Sequence, residues 1–307
     1  MKRILRNALA LAVSLLLISA PGLSEMIKDE VVYARLSLSG EVESVYVVNS
    51  FEAQEQARGQ DYGAYLEVTP LSQAEVFSYQ EDKADFAMGP GRFYYQGIPE
   101  NKALPWEISL RYALNGQEAA PEALSGAKGQ LEIFFEILPL ETGKAYHQSL
   151  SMTATFTLPG ARVLDVQAPE ATLAYAGGDI TLSYVILPGQ GASYVISAQV
   201  EDFAMAGAQF AAVRMGVDMA MYQGVAAQTL EGTPFGTLAT GVMEQFLSGM
   251  QGQPLGSFTD ARNQVRSLQF VFLTEEVPVL RPQAAPKAPQ EEAQETVWQR
   301  LLGLFGG

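Results

Sequence analysis

The fold is decided by residues 106–116, which read WEISLRYALNG. Apolar side chains fall on every second residue from Trp106 onward, and mostly polar side chains lie between them. Successive side chains of a β-strand point to opposite faces of a sheet, so this alternation predicts a strand with one buried face and one wet face. The closing Asn115-Gly116 pair is typical of a tight hairpin turn. We expect Trp106 to be a core anchor.

The same two-residue period recurs downstream, with Gly and Pro turns between the segments. The further strands are predicted at residues 131–137, 151–158, 180–186 and 194–200. Strands that are half buried and half wet suit a sandwich of two packed sheets. Residues 104–203 are therefore predicted to form an immunoglobulin-like β-sandwich. It would lack the usual disulfide, because the chain has no cysteine.

A smaller β domain is predicted upstream, over residues 26–103. Residues 32–38 alternate, Ser39-Gly40 supplies a turn, and residues 45–48 begin a returning strand, which together indicate a hairpin. Further short strands are expected at residues 64–68, 75–79, 85–88 and 92–96.

Residues 204–277 predict a mixed segment with a helical insertion and a last strand. Thr233-Pro234 can cap and begin a helix, since Thr suits the N-cap and Pro the first helical position. Apolar side chains then recur every three or four residues on one helical face, at Phe235, Leu238, Val242, Phe246 and Met250. The strand is expected at residues 267–274. The fold class is therefore mainly β.

The N-terminus carries the pattern of a secretory signal peptide over residues 1–24. Lys2, Arg3 and Arg6 precede an apolar run from residue 8 to residue 20. That run is shorter than the ~20 apolar residues that span a bilayer, and it matches the apolar region of a signal peptide. We expect cleavage between about residues 22 and 25. The alternative is an uncleaved N-terminal anchor. Both place the body outside the cytoplasm, secreted or peripherally associated with the cell envelope.

The net charge of the chain is −15, with 34 acidic and 19 basic residues. Such an acidic chain repels nucleic acid and anionic lipid, because phosphate binding needs clustered Lys and Arg. The sequence contains no calcium-binding loop with alternating acids and a closing Glu. We therefore expect no nucleic-acid partner and no metal.

The C-terminal part is predicted to be a tether followed by a short amphipathic helix. Residues 278–294 are rich in Pro, Ala, Gln and Glu, which favours an extended linker. Residues 295–307 are apolar enough to dock onto a membrane surface or a protein partner. The candidate docking residues are Trp298, Leu301, Leu302, Leu304 and Phe305. The alternative is a terminal helix that folds back onto its own domain.

The sequence predicts no catalytic, cofactor-binding or metal-ligating residue. His147 is the single histidine and is expected in a loop or at the surface. The acidic pairs at 81–82 and 291–292 suit solvated loops better than a glycosidase site. The aromatic run at 93–95 could line a glycan or peptide surface, but a strand with one buried ring is the simpler interpretation. Residues 89–91 (Gly-Pro-Gly) read as a turn.

Several longer phrases carry a resemblance to a known group of proteins. They are EVVYARLSLSGEVESVYVVNSFE (30–52), DYGAY (61–65), RFYYQG (92–97), LPWEISLRYALNG (104–116), LSGAKGQLEI (124–133), VILPGQ (185–190), VEDFAMAG (200–207) and SFTDARNQVRSLQFVFLTEEV (257–277). In this order they resemble uncharacterised exported proteins of Gram-positive anaerobes. Those proteins are similar in turn to the extracytoplasmic regions associated with YhgE/Pip-type (phage infection protein) membrane proteins.

The resemblance covers most of the chain after the signal peptide and implies a role in the cell envelope. Many such relatives carry Leu-x-x-Gly heptad repeats, whereas residues 208–256 of this chain contain only irregular Leu and Gly. The resemblance therefore does not imply for this chain any reach or oligomerisation that depends on those repeats. The resemblance implies no catalytic residues.

Two functional hypotheses follow from the sequence. The first is an exported, non-enzymatic envelope protein that binds a protein or membrane surface, as an accessory to a membrane export or transport complex. The second is a secreted carbohydrate-binding module or hydrolase subunit, which an aromatic platform on one sheet face with carboxylates within reach would favour.

Overall fold

The computed structural model describes residues 26–214 and 256–279. These residues form seventeen β-strands and one four-residue α-helix. The prediction of a mainly β fold is therefore confirmed. The signal peptide, the helical insertion at 233–250 and the terminal helix at 295–307 lie outside the described residues.

The strands are numbered along the chain. The first seven are β1 (Ile27–Leu36), β2 (Val42–Ala53), β3 (Ala57–Tyr62), β4 (Tyr65–Pro70), β5 (Val76–Gln80), β6 (Lys83–Met88) and β7 (Gly91–Pro99). The others are β8 (Trp106–Leu114), β9 (Gln117–Ala119), β10 (Gly129–Pro139), β11 (Ser151–Pro159), β12 (Val163–Gln167), β13 (Thr172–Ala176), β14 (Asp179–Ile186), β15 (Ala192–Val200), β16 (Gln209–Val213) and β17 (Ser267–Thr274). Two 3₁₀ turns lie at Pro121–Ala123 and Glu141–Gly143, and the helix α1 spans Lys144–His147.

The strands form three sheets. A nine-stranded sheet has the order β13-β14-β11-β16-β17-β1-β2-β7-β4, and a five-stranded sheet has the order β12-β15-β10-β8-β9. A small third sheet has the order β3-β6-β5. Neighbouring strands of the large sheet pair antiparallel except β1 and β17, which pair parallel from Asp29–Ser267 to Leu36–Thr274.

The large sheet and the five-stranded sheet pack face to face through their apolar sides, so the predicted β-sandwich is present. Phe135 on β10 packs against Phe156 on β11, with ring centroids 4.8 Å apart. Trp106 on β8 is 4% exposed and lies edge-on to Phe270 and Phe272 of β17. The expectation that Trp106 is a core anchor is confirmed. The immunoglobulin-like topology stays a prediction.

The nine-stranded sheet draws on residues from both sides of position 104. Strands β1, β2, β4 and β7 precede that position, and β11, β13, β14, β16 and β17 follow it. One continuous sheet therefore runs through the segments assigned to the N-terminal domain and to the sandwich. The boundary between them stays a prediction.

Two tight turns between strands contain residues with positive φ. Asn115 and Gly116 both have positive φ, 55° and 77°, and connect β8 to the short strand β9. This is the tight hairpin that the sequence predicted. Gly40, between β1 and β2, has φ 96°, and a Cβ there would lie 2.1 Å from the backbone oxygen of Ile108. Only glycine allows that close approach between the two sheets.

Candidate functional site

The structure places only some of the residues that the sequence singled out. The five candidate docking residues of the tail and the acidic pair at 291–292 lie outside the described residues. Glu81 and Asp82 form the β5–β6 turn with positive φ of 50° and 57°. Phe93 and Tyr95 are fully buried while Tyr94 is half-buried. The run at 93–95 therefore belongs mostly to the core.

His147 is buried, so the expectation of a loop or surface histidine is wrong. It is the last residue of α1 and is 7% exposed. Its Nε2 lies 3.1 Å from the backbone oxygen of Leu140, and its ring packs edge-on to Trp106 at 6.4 Å. The apolar contact with the core anchor explains the burial, which periodicity around a short helix could not reveal.

The described residues contain no group of three or more His, Cys, Asp or Glu side chains arranged to hold a metal ion. Across residues 26–214 and 256–279, no helix has the length and hydropathy needed to cross a membrane.

The most unusual chemistry in the described part is a buried charge cluster of Lys28, Glu30 and Asp61. The Nζ atom of Lys28 lies 2.7 Å from Oδ1 of Asp61 and 3.0 Å from Oε2 of Glu30. All three side chains are at most 5% exposed. Lys28 and Glu30 lie on the inward face of β1, and Asp61 comes from β3, so the cluster joins the large sheet to the small one.

Neutral hydrogen-bond partners surround the buried charge cluster. The Tyr95 hydroxyl donates to Oδ2 of Asp61. Glu30 accepts hydrogen bonds from the Ser257 hydroxyl at 2.6 Å and from the backbone N–H of Phe258 at 2.7 Å. Hydrogen bonds to the Glu30 carboxylate therefore hold the loop before β17 against β1.

Burial raises the pKa of the Asp61 carboxyl, and the charge and hydrogen bond of Lys28 oppose this effect only in part. Burial and the neighbouring Asp61 charge also raise the pKa of Tyr95. The Tyr95 hydroxyl therefore stays protonated and acts as a donor.

The two-residue period of β1 indicates part of this cluster, although none of its residues was predicted to be functional. Lys28 and Glu30 continue the phase of Val32, Ala34 and Leu36, which are the buried residues of β1. A charged side chain in the buried phase of a strand needs a partner. No sequence pattern identified Asp61 as that partner, because it lies 33 residues away on another sheet.

A second feature lies on the opposite, solvent-facing side of the nine-stranded sheet. Six directly paired residues cross strands β14, β11, β16, β17, β1 and β2; we name them the outer row. They are Val185, Thr153, Ala211, Val271, Tyr33 and Tyr46. Val185 is 57% exposed and the others are half-buried.

Tyr33 and Tyr46 are the aromatic end of the outer row. Their rings stack with centroids 5.0 Å apart and an interplanar angle of 13°. Partial burial, followed by the neighbouring Tyr33, raises the pKa of Tyr46, so the Tyr46 hydroxyl group is neutral at neutral pH.

Ion pairs rim this end of the sheet. Arg266 pairs with Asp29 and, at 3.5 Å, with Glu52. Arg92 also reaches Glu52, at 3.3 Å. The outer row therefore has an aromatic and apolar centre with ion pairs at its edge.

No family model matches the chain, and no curated protein matches it. Among solved structures, it is similar to the Fcho1 mu homology domain of Danio rerio with bound Eps15 peptide. The identity is 10% and the TM-score 0.43, over 84% of this chain and 98% of that one. It is also similar to the yeast delta-COP-I mu-homology domain, at 10% identity and a TM-score of 0.36, over 81% and 95% of the two chains.

A weaker likeness is to an M1 zinc metallopeptidase from Deinococcus radiodurans. The identity is 20% and the TM-score 0.18, over 58% of this chain and 44% of that one. At such TM-scores none of these likenesses carries an argument about the fold or the activity.

Proposed function

We propose that this chain is an exported, non-enzymatic protein of the cell envelope that acts by binding another protein, as an accessory to a membrane export or transport complex. The observation that carries the proposal is the outer row with its stacked Tyr33 and Tyr46. Tyrosine supplies a large contact area at a small cost in side-chain entropy and is enriched at protein interfaces.

The proposed partner presents an apolar, uncharged surface of a folded protein. Arg266 and Arg92 are already paired with Asp29 and Glu52. Arg35, beside Tyr33, lies 4.0 Å from Glu43. The rim therefore leaves little net charge to complement. An anionic lipid surface is the less favoured partner for this face, because the chain carries a net charge of −15.

The placement of His147 supports the non-enzymatic part of the proposal, because it removes the one histidine as a general base for a bound substrate. The single histidine of the chain is buried against Trp106, and its Nε2 lies against a backbone oxygen. A general base must reach the proton that it abstracts in a bound substrate, and His147 lies in the core, away from solvent.

The binding proposal is tested by Tyr46→Lys in the full chain, followed by cross-linking in intact cells. A lysine there places a charge in the centre of the apolar contact and should abolish the specific cross-linked species. Thr155→Lys is the matched control, because Thr155 is a half-buried residue on the same sheet face, on β11. If the Tyr46→Lys and Thr155→Lys variants form the cross-linked species in equal amounts, the outer row is not the binding surface.

A second candidate function is a carbohydrate-binding module, and the stacked tyrosine pair also favours it. Asp29 and Glu52 place carboxylates on the same sheet face. Binding of the purified chain to insoluble cell-wall polysaccharide, lost in Tyr33→Ala and Tyr46→Ala but retained in Thr155→Lys, would support this function. No binding by the unaltered chain would exclude that polysaccharide as its ligand.

The export part of the proposal has its own test. Cleavage after the apolar run should give a mature N-terminus within about residues 23–26. N-terminal sequencing of envelope-fraction protein measures this. A cytoplasmic species that retains Met1 would contradict export.

A further inference from the structure

The buried charge cluster has the geometry of a reaction site as well as that of an ion pair. One amine and two carboxylates converge, with Lys28 Nζ 2.7 Å from Asp61 Oδ1 and 3.0 Å from Glu30 Oε2. Phe51 lies beneath the amine, its ring centroid 5.9 Å from Nζ, and Phe86 packs on Phe51 at 4.5 Å. The three groups therefore meet in an aromatic, nearly dry environment.

Such an environment disfavours both ions of a pair, because each has lost its hydration. Transfer of one proton from the Lys28 ammonium to the Asp61 carboxylate converts the pair into a neutral amine and a neutral acid. Burial drives Asp61 in this direction by raising its pKa. A neutral lysine amine is a nucleophile, whereas its ammonium form is not.

We propose that Lys28 and Asp61 condense to an intramolecular amide bond, with Glu30 as the proton carrier. The Nζ atom of Lys28 attacks Cγ of Asp61, the carbon bonded to the oxygen that it already contacts. The Tyr95 hydroxyl donates to Oδ2 and stabilises the negative charge that develops there.

The condensation of Lys28 with Asp61 needs no oxidant and no further reactant. Glu30 takes a proton from the attacking nitrogen and gives it to Oδ1 of Asp61. Oδ1 already carries the proton that came from the Lys28 ammonium, so it leaves as one water molecule. One N–C bond forms, one C–O bond breaks, and Glu30 ends in its original protonation state. Ser257 and the backbone N–H of Phe258 hold the Glu30 carboxylate in position for this transfer.

The bond would tie β1 of the nine-stranded sheet to β3 of the small sheet across 33 sequence positions. A cross-link of this kind restricts the unfolded chain as a disulfide does. The chain has no cysteine, so this link gives a covalent tie by other chemistry. The inference does not depend on the proposed binding function.

Mass spectrometry of the denatured full chain, with tryptic peptide mapping, tests the proposal. The linked chain is lighter than its sequence by one water, and trypsin does not cut after an acylated Lys28. The map should contain one branched species in which an uncut peptide through Lys28 is joined to peptide 59–83. Peptide mapping gives the same answer wherever the mature N-terminus lies.

Two variants sharpen the test. Lys28→Arg keeps the positive charge but should give no linked species, and Glu30→Gln should leave most of the chain unlinked. Circular dichroism checks that each variant is folded. If either variant does not fold, the tryptic peptide map of the unaltered chain still shows whether Lys28 and Asp61 are linked.

Three outcomes would contradict the proposed amide bond between Lys28 and Asp61. The first is an unaltered, folded chain at its sequence mass with normal cleavage after Lys28. The second is loss of water without a branched peptide, which indicates dehydration of a single side chain. The third is the same loss of water in Lys28→Arg.

Discussion

Replacing Trp106 by alanine tests the packing between the two large sheets. The indole is 4% exposed and lies edge-on to Phe270 at 5.5 Å and to Phe272 at 6.2 Å. A tryptophan buries about 200 Å², which at about 25 cal/mol per Å² corresponds to about 5 kcal/mol. This figure is an upper estimate because the unfolded chain already buries part of its apolar surface, so we expect the free energy of unfolding to fall by roughly 3–5 kcal/mol.

Urea unfolding of the full chain, followed by far-ultraviolet circular dichroism, measures this loss. Trp298→Ala is the matched control, because it makes the same chemical change in the C-terminal segment and should leave the midpoint nearly unchanged. Trp106 and Trp298 are the two tryptophans of the chain, so fluorescence of Trp298→Phe reports Trp106 alone and should be blue-shifted. A loss below about 1 kcal/mol would refute the assignment of Trp106 as a core residue.

Three further predictions concern the tail, the low-pH limit and a turn. Deleting residues 295–307 should leave the melting temperature nearly unchanged but lower retention in the envelope fraction; a large fall in melting temperature would place the segment in the core. Hydrogen bonds from Arg262 lower the pKa of Asp260 from 3.8 to about 2. Its stabilising contribution is therefore present above pH 3.8 and lost as the pH falls through about 2, and Asp260→Asn should flatten the pH dependence of urea stability there. Gly116→Ala should cost about 1 kcal/mol in urea unfolding because φ is positive, whereas Gly89→Ala, whose added Cβ meets nothing, should cost almost nothing; equal losses would contradict this.

Local patterns predicted the strands that alternate strongly. The last strand lies at Ser267–Thr274, as its apolar period indicated, and Trp106–Leu114 lies where the alternation placed it. These predictions succeeded because a strand at the surface of a core exposes every second side chain.

Weakly patterned strands were missed for a physical reason. Ala57–Tyr62 contains Arg58, Gln60 and Asp61 and has no apolar alternation, and all residues of Thr172–Ala176 are exposed. Their extended conformation comes from hydrogen bonds to a neighbouring strand, and such pairing leaves no periodic signal in the sequence.

The sequence by itself determined the β class, the buried side of Trp106 and the hairpin at Asn115-Gly116, because each follows from the pattern of residues a few positions apart. The tertiary structure alone decided the parallel pairing of β1 with β17 and the meeting of Lys28 with Asp61. Both bring together residues far apart in the chain, and the free energy of a buried charge depends on the partner that the fold supplies.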